Sequence, residues 1–307
     1  MKNDYIVVIG SINYDYMLKI KSMPKVGETI VAYDYAFTLG GKGANQAVQC
    51  AKLGIKTYML GMVGDDYMGK FCIEELKQYG VDITNVKIIN EITGFSVANS
   101  LPDGNVLPTI VHGSNFKVNK EYIDSLKDII INSKVVILQM EIPIDIIEYI
   151  IELCDNKNIK VILNTAPANN IRVEYLQKCD FIIANELEAE FYTNIHINDI
   201  DSAKKSIAKF YKDINTNCIF TLGKKGCIIC FQGEINFFPS VDVKAVETNG
   251  AGDSFIGGLV SSYYIFNYDI KQSVDFAQIC SAITIQNIGC SKSMPTFEDI
   301  NKYIKNK

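Results

Sequence analysis

Short runs of consecutive apolar residues alternate along this chain with longer stretches whose apolar positions recur every three to four residues. The runs Ile6–Ile9, 57–62, Val135–Gln139, Lys160–Asn164, 181–184, 218–222 and Gly226–Phe231 are short, several of them rich in β-branched residues, and read as strands. Segments 68–79, 145–156 and 202–211 carry helical spacing. Strands that are apolar on both faces and separated by amphipathic helices predict an α/β fold with a central, mostly parallel sheet flanked by helices. Such sheets bind ligands beyond the carboxyl ends of their strands, so chemistry is sought in the residues that follow each strand.

Two segments break the rhythm. Residues 13–39 are turn-rich and alternating, with Met17-Leu18-Lys19-Ile20, then Pro24, Gly27 and Thr29-Ile30-Val31. Residues 93–112 read as a hairpin, 95–101 and Val106–Val111, around Pro102-Asp103-Gly104-Asn105. The two pieces can pair into a small second sheet, a lid on one domain spanning residues 1–307. Ile30, Val31, Phe95, Val97 and Val111 make this lid apolar for an isolated sheet, which predicts a homodimer formed through it.

Composition narrows the function classes. With 307 residues, 48% hydrophobic and 21% charged, the chain can build one large core and is not of disordered composition. The net charge of −5, without a Lys/Arg block, argues against nucleic acid or a polybasic membrane patch as partner. Runs such as Val135-Val136-Ile137-Leu138 are far too short to span a bilayer, and residues 1–10 read as a first strand, not a signal peptide. A cytoplasmic protein is expected. The nine cysteines include one C-x-x-C, Cys227 to Cys230, inside a strand-like run where the two thiols point to opposite faces. With only His112 and His196 as imidazoles, both far from it, neither zinc nor thiol redox chemistry is expected.

Two glycine-rich segments carry the candidate chemistry. Gly40-Gly41-Lys42-Gly43-Ala44-Asn45-Gln46-Ala47 opens a helical pattern, but it lacks the Ser or Thr of a Walker loop and the third glycine of a dinucleotide fingerprint. Its backbone amides can still hold hydroxyls or anions, with Lys42 and Asn45 as directional donors. Thr248-Asn249-Gly250-Ala251-Gly252-Asp253-Ser254-Phe255 opens a second helix, whose N-terminal amides suit an anion. Asp253 in that first turn is either a capping acid or a general base beside an anion hole; spacing alone leaves both open.

Taken together, these segments resemble the ribokinase family of carbohydrate kinases, the pfkB type, from Gly10 to about Pro295. Gly10-Ser11-Ile12-Asn13-x-Asp15 resembles the family's N-terminal sugar-binding stretch, Gly40 to Ala47 its first signature in the form found in ribose kinases, and Gly250-Ala251-Gly252-Asp253 its second. The resemblance implies an ATP-dependent kinase that phosphorylates the 5-hydroxyl of D-ribose, with Asp253 as general base and the Gly250, Ala251 and Gly252 amides as anion hole. It implies Asn13, Asp15, Gly41, Lys42, Asn45 and Glu141 as sugar contacts. Asn185, Thr221, Gly223, Gly226, Gly252 and Gln278 fall on the nucleotide side, and Glu188 serves Mg²⁺ through water. A K⁺ activator would sit among Glu247, Asn249, Thr284, Asn287, Gly289 and Ser293. Two positions depart from the family pattern: Glu247 replaces an aspartate, and Gln278 replaces a histidine that stacks near adenine. A nucleoside kinase or another pfkB-type sugar kinase is the alternative in the same class, and a non-catalytic sugar sensor the alternative outside it.

Overall fold

The computed structural model of the chain describes residues 4–102 and 106–305. Residues 1–3, 103–105 and 306–307 lie outside it, and with them the start of the expected N-terminal run and most of the expected turn at Pro102-Asp103-Gly104-Asn105. Eight strands form the main sheet in the order Glu234–Pro239, Gly226–Phe231, Asn217–Thr221, Phe181–Asn185, Lys160–Asn164, Val135–Gln139, Ile6–Ile9 and Thr57–Leu60. Every neighbouring pair from Asn217–Thr221 to Thr57–Leu60 is parallel. The link 222–225 is too short for a crossover, so Gly226–Phe231 returns as an antiparallel hairpin partner and Glu234–Pro239 extends it.

Strand alternation feeds two cores. Val7 and Ile9 enter the core on one face of the sheet, Ile6 and Val8 the core on the other. Cys227 and Cys230 divide between those same two cores, so the C-x-x-C thiols do point apart. The helices Tyr67–Gln78, Ile144–Asp155 and Ile200–Ile214 cover the sheet near the predicted positions. All three begin one or two residues earlier than the periodicity suggests, and side chains cap two of them: Asp66 accepts from the Gly69 amide at 2.7 Å and Asp199 from the Ser202 amide at 2.7 Å.

The run predicted as one strand over 57–62 is interrupted at Gly61. Thr57–Leu60 stays in the main sheet, whereas Met62–Gly64 pairs with Lys87–Ile89 in a separate two-stranded sheet. The Tyr122 hydroxyl fills the break, accepting from the Gly61 amide at 2.9 Å and donating to the Asn85 carbonyl at 2.6 Å.

A four-stranded lid stands beside the main sheet, in the order Asp34–Gly40, Asn13–Lys19, Gly94–Ser100, Val106–Val111. Ile30 and Val31, expected within it, lie instead in an irregular loop that the Tyr33 amide closes on the Lys19 carbonyl at 2.9 Å. The register puts Asp15, Ser96 and Ile110 on one face and Tyr14, Phe95 and Val111 on the other. Tyr14 packs edge-on against Phe71 of the Tyr67–Gln78 helix, with ring centroids 4.9 Å apart, so the part of this second face around Tyr14 rests on the body, while Phe37 and Val111 on the outer strands stay exposed.

Candidate active site

Two cavities open at the carboxyl ends of the parallel strands. The first, about 430 Å³, lies under the lid; Ala98, Val106, Pro108 and Ile110 roof it and Asn13, Asp15, Gly41, Lys42, Asn45 and Glu141 form its polar wall. Phe95 turns to the opposite face of its strand, unlike Pro108. The second, about 510 Å³, lies over the strands Phe181–Asn185 and Asn217–Thr221. Lys42, Glu188, Thr248, Asn249 and Asp253 line both, so the two spaces meet there.

Asp253 enters this junction from the first turn of the Ala251–Val260 helix, and its side chain is buried. Its Oδ2 accepts from Asn45 Nδ2 at 2.9 Å and its Oδ1 from Gln46 Nε2 at 2.9 Å. Behind these donors, Gln139 Nε2 donates to Gln46 Oε1 and Ser291 Oγ to Asn45 Oδ1, each at 2.8 Å. Burial raises the Asp253 pKa; Lys42 and the two amide donors oppose that rise. Each carboxylate oxygen retains acceptor capacity for a further donor from the cavity.

The Lys42–Lys52 helix begins against the strand-end residues. Gly41 has φ +85°, and a Cβ there would come 2.8 Å from the Asn13 amide nitrogen, so only glycine lets the helix start this close. The Lys42 amide donates to Glu141 Oε2 at 3.1 Å, and the Ser11 hydroxyl donates to the same oxygen. Burial works against the Lys42 ammonium, but Asp253, Glu141 and Glu188 outweigh it and raise its pKa. The Asp15 carboxyl is pushed up to about 6 by burial, although the Ser96 hydroxyl donates to it at 2.6 Å. Asn115 Nδ2 donates to Asn13 Oδ1 at 2.7 Å, which commits that oxygen and turns the amide nitrogen of Asn13 away from it.

On the second cavity's side, Asn185 and Glu188 form a reciprocal capping box. Glu188 Oε2 accepts from the Asn185 amide at 2.8 Å and Asn185 Oδ1 from the Glu188 amide at 3.0 Å. The motif therefore serves as a helix start, and Glu188 lines both cavities as well. Burial raises its pKa. Thr221, Gly223, Gly226 and Gln278 all line this space. Gly250 caps its helix at φ +79°, where a Cβ would come 2.2 Å from Cys290 Sγ, whereas a Cβ on Gly252 would meet nothing within 4 Å. The first-turn amides of this helix thus border open space.

The loop carrying Glu247 and Asn249 is tied to the late loop. The Val246 and Glu247 amides both donate to the Ile285 carbonyl, at 2.7 and 3.1 Å, and Glu247 Oε2 folds back to accept from the Gly289 amide at 3.1 Å. The Thr284 hydroxyl donates to Ser254 Oγ at 2.8 Å and the Ser293 hydroxyl to the Cys290 carbonyl at 2.9 Å. Of the six residues expected to hold K⁺, Asn249 lines both cavities, whereas Glu247, Thr284, Asn287, Gly289 and Ser293 line neither. Sequence reading missed Ser11, Gln46, Ser96, Asn115, Gln139 and Ser291. Of these, Ser11 and Gln46 lie inside the motifs named above, where no sequence feature marks their partners.

The family model for pfkB family carbohydrate kinases matches residues 3–297. Among relatives, the ribokinase of Haemophilus influenzae is 31% identical over 98% of both chains, and the deoxyribokinase of Salmonella typhi is 33% identical over 97% of this chain and 98% of that one. The structure of Arabidopsis thaliana ribokinase complexed with ribose and ATP superposes with a TM-score of 0.90 at 31% identity, covering 98% of this chain and 99% of that one. With two cavities meeting at a buried aspartate on the expected lid-bearing fold, this chain belongs to the pfkB family of carbohydrate kinases.

Proposed function

We propose that the protein transfers the γ-phosphoryl group of ATP to the 5-hydroxyl of D-ribose, giving ribose 5-phosphate and ADP. The observation that carries this reading is Asp253 at the meeting point of the two cavities, in the first turn of the helix whose amides border the larger one. The sugar occupies the space under the lid and the nucleotide the larger space. The ribose and ATP named for the Arabidopsis structure support that pairing.

Asp253 takes the hydroxyl proton as the sugar oxygen forms its bond to the γ-phosphorus and the bond to the ADP oxygen breaks. Burial makes this carboxylate more basic than a free one, and Lys42, Asn45 and Gln46 favour its charged form and oppose that rise. The Gly250, Ala251 and Gly252 amides stabilise the charge on the transferring group. Asn13, Asp15, Gly41, Lys42, Asn45 and Glu141 hold the sugar hydroxyls, and the lid excludes water. Thr221, Gly223, Gly226 and Asn185 line the nucleotide's place, with Gln278 beside the base.

Four carboxylates, Asp15, Glu141, Glu188 and Asp253, face the single ammonium of Lys42, which leaves excess negative charge suited to cations. Among the described residues no three acid, Cys or His side chains converge to hold an ion by themselves. Mg²⁺ would therefore be shared between Glu188, through water, and the phosphates, and would supply charge neutralisation there. K⁺ would be held by Glu247 and by backbone carbonyls of Asn249, Thr284, Asn287, Gly289 and Ser293. The lid leaves Tyr33, Tyr35, Phe37, Leu107 and Val111 exposed, a surface that a second copy would cover in a homodimer.

The Salmonella deoxyribokinase, as similar as the ribokinases, favours one competing reading: 2-deoxy-D-ribose as substrate. ADP release is measured with Mg-ATP and a panel of D-ribose, 2-deoxy-D-ribose, other sugars and nucleosides. D-ribose giving the highest kcat/KM supports the proposal, and 2-deoxyribose giving it establishes the competing reading. A nucleoside preference, or no acceptor-dependent ADP, overturns both.

A further inference from the structure

One face of the Lys42–Lys52 helix is polar where a packed helix is expected to be apolar. Asn45, Gln49 and Lys52, spaced four and three residues apart, share that face and all engage one late segment, 291–295. The Ser291 hydroxyl donates to Asn45 Oδ1 at 2.8 Å, and Gln49 Nε2 donates to the Pro295 carbonyl at 3.1 Å. The Lys52 ammonium then closes the row on three backbone carbonyls, those of Ser291 at 3.1 Å, Lys292 at 2.9 Å and Met294 at 2.6 Å. Nothing in the mechanism above uses Lys52, which stands at the far end of the helix from Lys42.

An ammonium has three N–H donors and meets three acceptors here; a neutral amine has only two N–H groups to offer. The same helix passes this anchorage on. Ser291, held by its carbonyl, holds Asn45 by its hydroxyl, and Asn45 Nδ2 holds Asp253 Oδ2 at 2.9 Å. We propose that Lys52 is a positioning residue for phosphoryl transfer, whose ammonium fixes the 291–294 segment and, through Ser291 and Asn45, the rotamer of Asp253. The inference rests on Asp253 being the base. A carboxylate displaced by a fraction of an ångström loses rate without losing substrate.

The anchor is also proton-dependent. Burial lowers the Lys52 pKa to about 8, with Asp299 of the Phe297–Lys305 helix opposing the fall. Tyr79, after the Tyr67–Gln78 helix, presents its ring 5.1 Å from the ammonium, and its own hydroxyl is pushed up to about 12, so it stays neutral in this range. Asp299 is held ionised by Thr296, whose amide and hydroxyl donate to it at 2.9 and 2.6 Å. Lys52 is then the group on this seam that changes charge as pH rises through about 8, and its third donor is lost above that point.

The test compares wild type, Lys52→Met, Lys52→Arg and Ser291→Ala for kcat and both KM values from pH 6.5 to 9.5, with amide hydrogen exchange of segment 289–294 on the resting proteins. We expect Lys52→Met to lower kcat roughly tenfold with the ATP KM within about twofold. The decline of kcat near pH 8 disappears in Lys52→Met, and exchange in the segment quickens. Lys52→Arg restores kcat and keeps it to pH 9.5, because guanidinium does not titrate there. Ser291→Ala, which leaves the ammonium in place, also loses the pH 8 limb because the link to Asn45 is cut. Wild-type kcat in Lys52→Met, an unchanged pH 8 limb in Ser291→Ala, or unchanged exchange in Lys52→Met overturns the inference. A wild-type protein that phosphorylates no sugar overturns the functional reading instead, and the exchange measurement still decides the anchor.

Discussion

Asn45 and Asp253 are 208 positions apart in the chain, and their side chains meet at 2.9 Å. One opens the first glycine-rich helix and the other the second, so this single hydrogen bond joins the two motifs that the sequence displays separately. Its consequence is an aspartate whose lone pairs are aimed by neighbouring amides, at the boundary between two cavities.

Replacing Asn13 should separate the two ends of the site. Lys42 lines both cavities, but Asn13 lines only the one under the lid. Asn13→Ala removes a buried partner of a sugar hydroxyl, a loss of about 1–3 kcal/mol, or roughly 5- to 150-fold in sugar affinity. Titration of binding by calorimetry should show that loss for ribose and none for ATP. Weaker ATP binding with unchanged ribose binding would reverse the ends of the site.

Asp15 sets an acid limit on sugar binding. Its carboxyl, at about 6, lies above the value of an unfolded aspartate, because burial disfavours the charge. Its contribution to stability is therefore fullest at acid pH and is lost as pH rises through about 6. Sugar binding runs the other way, since a hydroxyl donates to the ionised form. The ribose KM should climb below about pH 6 with a slope of one proton. Ser96→Ala deletes the donor that holds Asp15 down, so the midpoint should move to higher pH. A ribose KM independent of pH between 5 and 7 would remove Asp15 from contact with the sugar.

Much of this fold could be read from the chain, because apolar runs and helical spacing are local properties. The strands Ile6–Ile9, Val135–Gln139, Lys160–Asn164 and Gly226–Phe231 stand where the pattern puts them. What escaped depends on partners far away. The break at Gly61 is made by Tyr122, sixty-one residues on, and no periodicity in 57–62 announces it. Ile30 and Val31 read as strand residues, yet the loop around Pro24 and Gly27 carries them out of the lid. In the site, Asn45 and Asp253 stand inside contiguous motifs visible in the chain, whereas the roles of Ser11 and Gln46 in those same motifs depend on distant partners. Ser96 was not legible, because its bond to Asp15 exists only through the parallel pairing of Asn13–Lys19 with Gly94–Ser100.

Potassium should activate the enzyme through the loops behind the junction. Glu247 folds back onto the Gly289 amide, which keeps its charge among the candidate carbonyls despite the extra methylene. An ion there would brace the loop that carries Gly250 to Gly252. Rates in KCl and in tetramethylammonium chloride at equal ionic strength separate a specific site from screening. Higher kcat in KCl is expected, and a stronger potassium response in Glu247→Asp. Equal rates in both salts would show that the folded-back carboxylate bridges the loops without an ion.

The lid should also mediate self-association. Tyr35 is 65% exposed and Phe37 47% exposed at alternate positions, on one face, of the Asp34–Gly40 edge strand, more aromatic surface than an isolated lid carries well. Light scattering at micromolar concentration should give twice the chain mass, and Tyr35→Glu combined with Phe37→Glu should halve it. A fully active wild-type monomer would contradict the dimer.

The most direct test of Asp253 as the base is the turnover of Asp253→Asn with Mg-ATP and ribose, alongside calorimetric binding of both substrates. Asn preserves size and keeps one oxygen to accept from Asn45 or Gln46, but it cannot take a proton. The account predicts near-native binding and a loss of roughly 10²–10⁴ in kcat. A variant that keeps more than about a tenth of wild-type turnover would contradict it.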